Sequence, residues 1–157
     1  MAVVIFAVRV VPAALRTDWM AGAGRHVAAA AVFVLVAMAI FLYVVYKFIS
    51  DPAIAADPTS IGGVLVASDH SAFIGVITNL VFGLLLTLTA DRADRWPWAT
   101  QVGFWGTNLG LVAFIVGLVA ESSTLKMVGA PVMGVSLLVG LAVLAMRLQD
   151  SELAAEA

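Results

Sequence analysis

The chain alternates long apolar segments with short polar ones, and this pattern predicts four membrane-spanning helices. The apolar segments are about 20 residues long, the length of helix that crosses the hydrocarbon core of a bilayer. Two Asp-Pro pairs interrupt the pattern after the first segment, and a charged loop at 91–97 separates the second from the third. We predict an all-α integral membrane protein folded as an antiparallel four-helix bundle. The predicted helices are 27–49, 69–90, 98–120 and 127–148.

The chain is divided into three parts by this pattern. The N-terminal segment 1–26 carries Arg9 and Arg16 seven residues apart in an apolar context. Seven residues are about two helical turns, so both arginines share one face, as in a helix lying in the membrane interface. Disorder is the alternative for this segment. The four-helix transmembrane domain is 27–148, and the tail 149–157 is short, acidic and expected to be exposed.

Composition excludes most soluble functions. Of the 157 residues, 63% are hydrophobic and 11% are charged, whereas a soluble domain has about 25% charged residues. The chain contains no cysteine, which excludes disulfides and thiolate ligands. No basic cluster suggests nucleic-acid binding. The sequence has no phosphate-binding loop, dinucleotide fingerprint, zinc motif or nucleophile elbow. We therefore expect a protein that is not an enzyme.

Small residues recur at helical spacing in the second and third predicted helices. Such rows let two helix backbones approach closely in a membrane. We predict that helix three packs through its small-residue face, and we expect Leu111, on another face, to contribute less. The row in helix two is Ser71, Gly75, Asn79 and Gly83; the row in helix three is Gly103, Gly106, Gly110, Ala113 and Gly117.

Two asparagines lie at similar depth in the middle of the predicted bundle. Asn79 is 11 residues before Ala90 and Asn108 is 10 residues after Trp98, which places both about 15–17 Å from one membrane face at ~1.5 Å per residue. Because the connecting loop is short, we expect these helices to be neighbours and the asparagines to hydrogen bond to each other or to a shared partner. Thr107 is expected to bond within its helix or to Asn79.

His70 is the one histidine inside a predicted spanning segment. Ionisable residues within membranes are functional candidates, but near a helix end His70 is expected to be an ordinary hydrogen-bonded residue, with Asp69 capping the helix. The alternative is a metal or haem ligand. His26 is expected to precede helix one on the other side of the membrane, too far away to share a ligand. Glu121 and Lys126 are expected to form a surface ion pair.

The distribution of Lys and Arg predicts the orientation. The N-terminal segment, the loop 91–97 and the tail side together hold six of these residues, and the other side holds only Lys47 and Lys126. Because basic residues are retained in the cytoplasm, we expect both termini there. The six are Arg9, Arg16, Arg25, Arg92, Arg95 and Arg147.

The second half of the chain resembles a fragment of haem-copper oxidase subunit I of the cbb3 and nitric oxide reductase type. That family carries a helix reading approximately H-x-H-x-N-x-x-G, followed by F-G-L, and then H-F-W-x-H-N-x-G-L on the next helix. Here the first signature is S-D-H-S-A-F-I-G at 68–75, with F-G-L at 82–84, and the second is G-F-W-G-T-N-L-G-L at 103–111. The resemblance covers about half of the chain and preserves the order of the helices.

The departures from this pattern change what the resemblance implies. His70 alone matches a family histidine, because Ser68, Gly103 and Thr107 occupy the other histidine positions and Ala72 replaces the asparagine. The packing residues remain while the ligands are missing. Reduction of oxygen or nitric oxide is not expected, since it needs histidines from several helices.

These observations lead to three hypotheses. The first is a non-catalytic accessory subunit or assembly factor of a respiratory or electron-transfer complex such as a cytochrome oxidase, in a bacterial-type cell membrane, with no cofactor. The second is a membrane protein that binds haem b through His70, with a further ligand from a second copy or a partner. The third is a small carrier subunit formed by self-association. Membrane lipids are partners in all three, and nucleic acid in none.

Overall fold

The computed structural model describes residues 2–92 and 94–155, and within this part all regular structure is helical. The all-α expectation is confirmed. Four helices are long and apolar enough to cross a membrane, and consecutive ones run in opposite directions because the connections are short. The α-helices are α1 (Ala2–Leu15), α2 (Gly24–Ser50), α3 (Pro52–Ala56), α4 (Gly62–His70), α5 (Asn79–Leu88), α6 (Pro97–Val119) and α7 (Ser123–Ala155).

Apart from shifts of one or two residues, the four spanning helices differ from the prediction at four ends, one of which is the start of the fourth helix at Ser123 rather than at residue 127. The first begins at Gly24 rather than at residue 27, so its first turn contains Arg25 and His26. The second is continuous over Pro58–Leu88. The fourth runs to Ala155, past the predicted boundary at 148, so the tail is helical up to that residue. The exposure expected for the tail stays a prediction, because it concerns side chains outside the described part.

The Asp-Pro pairs start helical turns after α2. Asp51 accepts a hydrogen bond from the N–H of Ala53 and caps α3, with Pro52 at the first helical position. Asp57 caps the 3₁₀ turn Pro58–Ile61 in the same way. Hydrogen bonds from the Thr59 hydroxyl, at 2.6 Å, and from the Thr59 N–H lower the pKa of the Asp57 carboxyl. Because α4 follows directly, the second spanning helix starts earlier than residue 69, and Asp69 lies inside it instead of capping it.

The second spanning helix changes its winding in the middle. Between α4 and α5, Ser71–Thr78 is π-helical, with Thr78 Oγ1 donating to the Phe73 carbonyl five residues earlier. A π-helical stretch widens the turn and rotates the residues after it relative to an α-helix. Gly75 sits in this stretch against the ring of Phe33 on α2, and a Cβ there would overlap the ring. The widened segment thus lies where α2 and the second spanning helix approach most closely.

The glycines of α6 face α7. A Cβ added to Gly103 would lie 2.9 Å from the Gly140 Cα, and one added to Gly117 would lie 2.8 Å from the Lys126 nitrogen. Gly106 faces Ser136, and Gly110 faces the backbone of Met133. The close approach expected for this face is present, and its partner is the following helix.

Leu111 lies on a different face of α6 from the glycines and belongs to the core. It is fully buried and packs with Phe33, Ala67 and Ile115. α6 is therefore covered on two sides, by α7 through its glycines and by α2 and α4 through Leu111 and Ile115. Glycine spacing marks only the closest contact of a helix, and a middle helix has more than one buried face. The smaller effect expected for replacing Leu111 than for replacing Gly110 stays a prediction.

The basic residues separate into two ends of the bundle. Arg25, Arg92, Asp94 and Arg147 line one groove. Tyr43, Lys47, Glu121 and Lys126 line another. The ion pair expected between Glu121 and Lys126 is not formed among the described residues. In the same groove, Lys47 Nζ lies 5.8 Å from the centre of the Tyr43 ring.

Helix α1 is too short to cross a bilayer, at 14 residues. It packs against α2 and exposes apolar side chains such as Val4, Val8 and Leu15, while Arg9 and Arg16 are also exposed. Its helical structure agrees with the interfacial hypothesis rather than with disorder. Placement in the interface stays a prediction.

Candidate functional site

A cluster of polar side chains is buried where the first three spanning helices meet. We call Arg25, His26, Asn79, Gln101 and Asn108 the polar cluster. The first two come from α2, Asn79 begins α5, and the last two belong to α6. Arg25 is 1% exposed, and His26 and Asn79 are each 2% exposed. Polar groups at this depth are rare in membrane proteins unless they bond to one another or serve a function.

The two asparagines hydrogen bond to each other as predicted. Asn79 Nδ2 donates to Asn108 Oδ1 at 2.8 Å and to the Gly75 carbonyl at 2.9 Å. Asn108 Nδ2 donates to the Phe104 carbonyl at 2.8 Å and to Asn79 Oδ1 at 3.3 Å. Because a backbone carbonyl can only accept, these contacts fix which side of each amide carries the nitrogen.

The orientation of Asn79 also fixes the tautomer of His26. His26 Nδ1 lies 3.1 Å from Asn79 Oδ1, an oxygen that can only accept, so the hydrogen of a neutral ring is on Nδ1. The ring packs edge-on against Phe104, at 4.8 Å between centroids, and against Phe82, at 5.7 Å. A cavity of about 10 Å³ remains beside it, roughly the volume of one water molecule.

Arg25 joins the N-terminal region to the start of α6. One guanidinium nitrogen donates to Gln101 Oε1 at 2.6 Å and to the Met20 carbonyl at 3.2 Å, and the other donates to the Thr100 carbonyl at 3.2 Å. The guanidinium carbon lies 4.4 Å from the centre of the Phe104 ring, within cation–π range. The Arg25 Nε is buried and has no hydrogen-bond partner in the described part of the chain.

His26 and Arg25 belong to the site, although the sequence pattern did not predict them there. His26 lies inside α2 instead of before the first spanning helix, so His70 is not the only histidine in a spanning helix. By its local pattern, the polar Gly-Arg-His triplet indicates the end of a membrane span. Inside the bundle, however, Gln101 accepts a hydrogen bond from Arg25 and Asn79 accepts one from His26, so the helix includes both residues. Asn79 and Gln101 are the sequence features that could have indicated Arg25 and His26, because each needs a hydrogen-bond partner at this end of the bundle.

His70 lies apart from the polar cluster. It ends α4, is half-buried, and its Nδ1 lies 2.9 Å from the Val66 carbonyl one turn earlier. Since a carbonyl only accepts, Nδ1 donates and Nε2 keeps its lone pair in the neutral ring. The ring packs 5.1 Å from Phe114 and borders a shallow groove with Asp69, Phe73 and Ile74. Within the described residues no group of three or more His, Cys, Asp or Glu side chains converges on a metal position.

The remaining predicted packing residues lie at helix contacts or near them. A Cβ at Gly83 would lie 3.3 Å from the His26 Cβ, so this glycine admits the histidine beside α5. Ala113 is half-buried. Thr107 departs from the expectation: its hydroxyl is buried without a hydrogen-bond partner in the described part. Asn79 cannot accept it, because Asn108 and His26 already occupy the Asn79 carbonyl oxygen.

The hydrogen bonds around Asn79 can therefore hold the helices in register, and little space for a bound molecule remains beside His26. The positions that carry histidines in the resembled oxidases are Ser68, Gly103 and Thr107 here. Gly103 is pressed against Gly140, and a cofactor at that position would have to separate α6 from α7. The residues present do not fit a multi-histidine haem and copper centre. Comparison with protein-family models, curated proteins and solved structures finds no match to this chain.

Proposed function

We propose that this protein is a non-catalytic, multi-pass membrane subunit that assembles with a larger membrane complex. The observation that carries the proposal is the closed hydrogen-bond network around Asn79, which uses both amide hydrogens and its carbonyl oxygen on protein partners. Polar residues of a catalytic or transport site would be expected to point into a cavity. The cavity beside His26 has a volume of only about 10 Å³, which is too small for a substrate.

A respiratory or electron-transfer complex, such as a cytochrome oxidase, is the partner we propose. The support is the resemblance at 68–75 and 103–111, where packing residues are retained and ligand positions are not. A helix bundle that keeps the internal packing residues of such a subunit without its metal ligands suits an accessory or assembly role. The proposed location is a bacterial-type cell membrane, with both termini in the cytoplasm, supported by the grouping of six basic residues toward one side.

Affinity purification tests this proposal. The chain, tagged after Ala157 and expressed at its native level, would be extracted in a mild detergent and its partners identified by mass spectrometry. We expect subunits of one membrane complex in constant ratio to the tagged chain. A Gly110→Leu variant, which disturbs the α6–α7 contact, is the control for specific assembly. Recovery of the chain alone, or in a self-associated form only, contradicts the proposal and favours the carrier hypothesis.

A second candidate function is haem b binding at His70. The observation that favours it is the His70 Nδ1–Val66 hydrogen bond, because metal-binding histidines usually donate their other N–H to a carbonyl or carboxylate and thereby fix the ring. Such a haem would need its second axial ligand from another molecule. Visible absorbance of the purified protein tests it: a haem spectrum lost in His70→Ala supports this candidate, and a colourless wild-type protein from haem-supplied cells contradicts it.

A further inference from the structure

The end of the bundle that contains Arg25 has an open groove of about 480 Å³. Three arginines from different elements line it: Arg25 at the start of α2, Arg92 after α5, and Arg147 near the end of α7. Asp94 is its one acidic lining residue. We call this feature the basic groove. Three parts of the chain that are distant in sequence meet there, namely 22–25, 86–100 and residue 147.

The Arg25 guanidinium has no direct contact with a carboxylate in the described residues. Asp94 pairs with Arg147 at 2.9 Å, and the charges of Asp94 and Asp18 act on Arg25 without a hydrogen bond to it. The hydrogen-bond acceptors of the Arg25 guanidinium are all neutral oxygens. Hydrogen bonds between a guanidinium and an anion are stronger than those to neutral acceptors, so an anion in the groove would supply the contact that Arg25 does not have.

Two arginines that line the groove have an unused hydrogen-bond donor. The Nε atoms of Arg25 and Arg147 are both buried and have no partner in the part of the chain that the structure describes. Arg25 as a whole is 1% exposed. Buried donors of this kind are normally paired with protein, water or a ligand. Two of them on arginines that line one groove indicate a ligand that accepts hydrogen bonds and carries negative charge.

The start of α2 adds backbone donors to this side of the groove. No side chain caps the helix, and the two preceding residues, Gly22 and Ala23, line the groove. Gly22 has a φ of +75°, followed by Ala23 in the right-handed helical region. This alternation turns successive N–H groups toward one concavity, which suits an anion. The positive end of the helix dipole has the same preference.

The tryptophans beside the groove predict that it lies at the depth of lipid head groups. Trp96 and Trp98, at the start of α6, are 42% and 65% exposed, and tryptophan is enriched at the membrane–water interface. The basic groove begins at Thr100, less than one turn further along α6. A phosphate attached to a lipid of the same leaflet can therefore reach it, and so can a phosphate from the aqueous side.

We propose that the basic groove binds a phosphate group, with Arg25 and Arg147 as its principal contacts. The group has negative charge and several acceptor oxygens, and arginine is suited to pairing with it. Two sources share this chemistry: the head group of an anionic phospholipid and free phosphate. The proposal does not depend on the identity of the partner complex.

Thermal unfolding of the purified protein in a neutral detergent tests this proposal. Phosphatidylglycerol, inorganic phosphate and zwitterionic phosphatidylcholine would be added separately to the wild type, to Arg147→Gln and to Arg16→Gln. Arg16 is exposed on the segment before α2 and does not line the groove, so its variant controls for loss of one charge. We expect phosphatidylglycerol to raise the Tm of the wild type and of Arg16→Gln by about 5 °C, and the Tm of Arg147→Gln by much less.

The outcomes distinguish the two sources. A rise with phosphatidylglycerol alone assigns the groove to a lipid head group, and a rise with inorganic phosphate as well assigns it to phosphate groups in general. No rise with either probe, an equal rise with phosphatidylcholine, or an undiminished rise in Arg147→Gln would overturn the proposal. If Arg147→Gln does not fold, native mass spectrometry of the wild type decides: one retained phosphatidylglycerol molecule supports the site, and none contradicts it.

Discussion

Asn79 uses its whole side-chain amide on protein partners, and this one residue connects three helices. Its nitrogen bonds to Gly75 on its own helix and to Asn108 on α6, while its oxygen bonds to His26 on α2. Hydrogen bonds between membrane helices contribute about 0.6 kcal/mol each on average. The network therefore fixes the relative position of the helices more than it contributes to their stability.

The two histidines provide a matched test at the residue scale. We expect His26→Ala to lower the free energy of unfolding by about 2–4 kcal/mol, because it removes a buried ring packed between Phe82 and Phe104 and leaves Asn79 with an unused acceptor. His70→Ala should cost less than about 1 kcal/mol, since it gives up a half-exposed ring and one bond to a carbonyl. Equilibrium unfolding in mixed micelles measures both, and equal losses would contradict the assignment of His26 to the core.

A substitution of Thr107 is expected to raise the free energy of unfolding, whereas the histidine substitutions lower it. Its hydroxyl is buried without a partner in the described part, so Thr107→Val removes an unsatisfied polar group and keeps the shape of the side chain. We expect a gain of about 1 kcal/mol in the free energy of unfolding. Thr89→Val is the control, because the buried Thr89 hydroxyl donates to the Leu85 carbonyl at 2.8 Å, and its loss should destabilise. A Thr107→Val variant less stable than Thr89→Val would show that the hydroxyl has a partner.

At the scale of elements, the contact between α6 and α7 is made by glycines on both helices. Gly129 of α7 approaches the Phe114 nitrogen, and a Cβ on Gly129 would lie 2.6 Å from it. Close backbone approach of this kind increases the number of van der Waals contacts, which drive helix association where lipid removes the hydrophobic effect. The pair α6–α7 is therefore the part of the bundle least tolerant of larger side chains.

A pair of identical substitutions tests this contact. Gly110→Leu inserts a branched side chain against the Met133 backbone, and we expect it to lower the Tm in detergent by at least 10 °C or to prevent folding. Gly134→Leu on α7 makes the same change where a Cβ would meet no atom within 4 Å, and it should leave the Tm nearly unchanged. Similar Tm values for the two variants would refute the packing described for α6.

The sequence was sufficient for some of these features and insufficient for others, for physical reasons. Four apolar segments and the spacing of Gly103, Gly106 and Gly110 predict the helices and their closest contact, because both depend on local pattern. The start of α2 at Gly24 was not predictable in this way, because Arg25 and His26 are tolerated inside the bundle only through Gln101 and Asn79, which are distant in sequence. The π-helical stretch also gives no periodic signal.

At the scale of the whole molecule, one end of the bundle is polar, and the buried polar cluster lies next to that end. The basic groove and the loop after α5 form the polar end, and the polar cluster lies just inside it. The outward faces of the four spanning helices are apolar, as shown by exposed Phe41, Leu84, Leu109 and Leu138. Such a molecule presents mainly apolar surface to the membrane interior and is suited to contacts with lipid or with other membrane helices.

The orientation proposed for the protein is tested with a pair of reporters. Alkaline phosphatase fused after Ala157 should be inactive and green fluorescent protein at the same position should fluoresce, because six of the eight Lys and Arg residues lie toward that side. Insertion of the same reporters between Asp57 and Thr59 should give the reverse pattern. An active phosphatase after Ala157 would place the termini, and the basic groove, outside the cytoplasm.

Native electrophoresis of membranes solubilised in a mild detergent tests the central claim most directly. The tagged chain of 16.4 kDa, expressed at its native level, should migrate within a complex several times its own mass. It should stay there in His70→Ala and leave it in Gly110→Leu. Migration of the wild type as a single chain, or loss of the complex on His70→Ala together with loss of a haem spectrum, would contradict an accessory subunit held together by its own buried contacts.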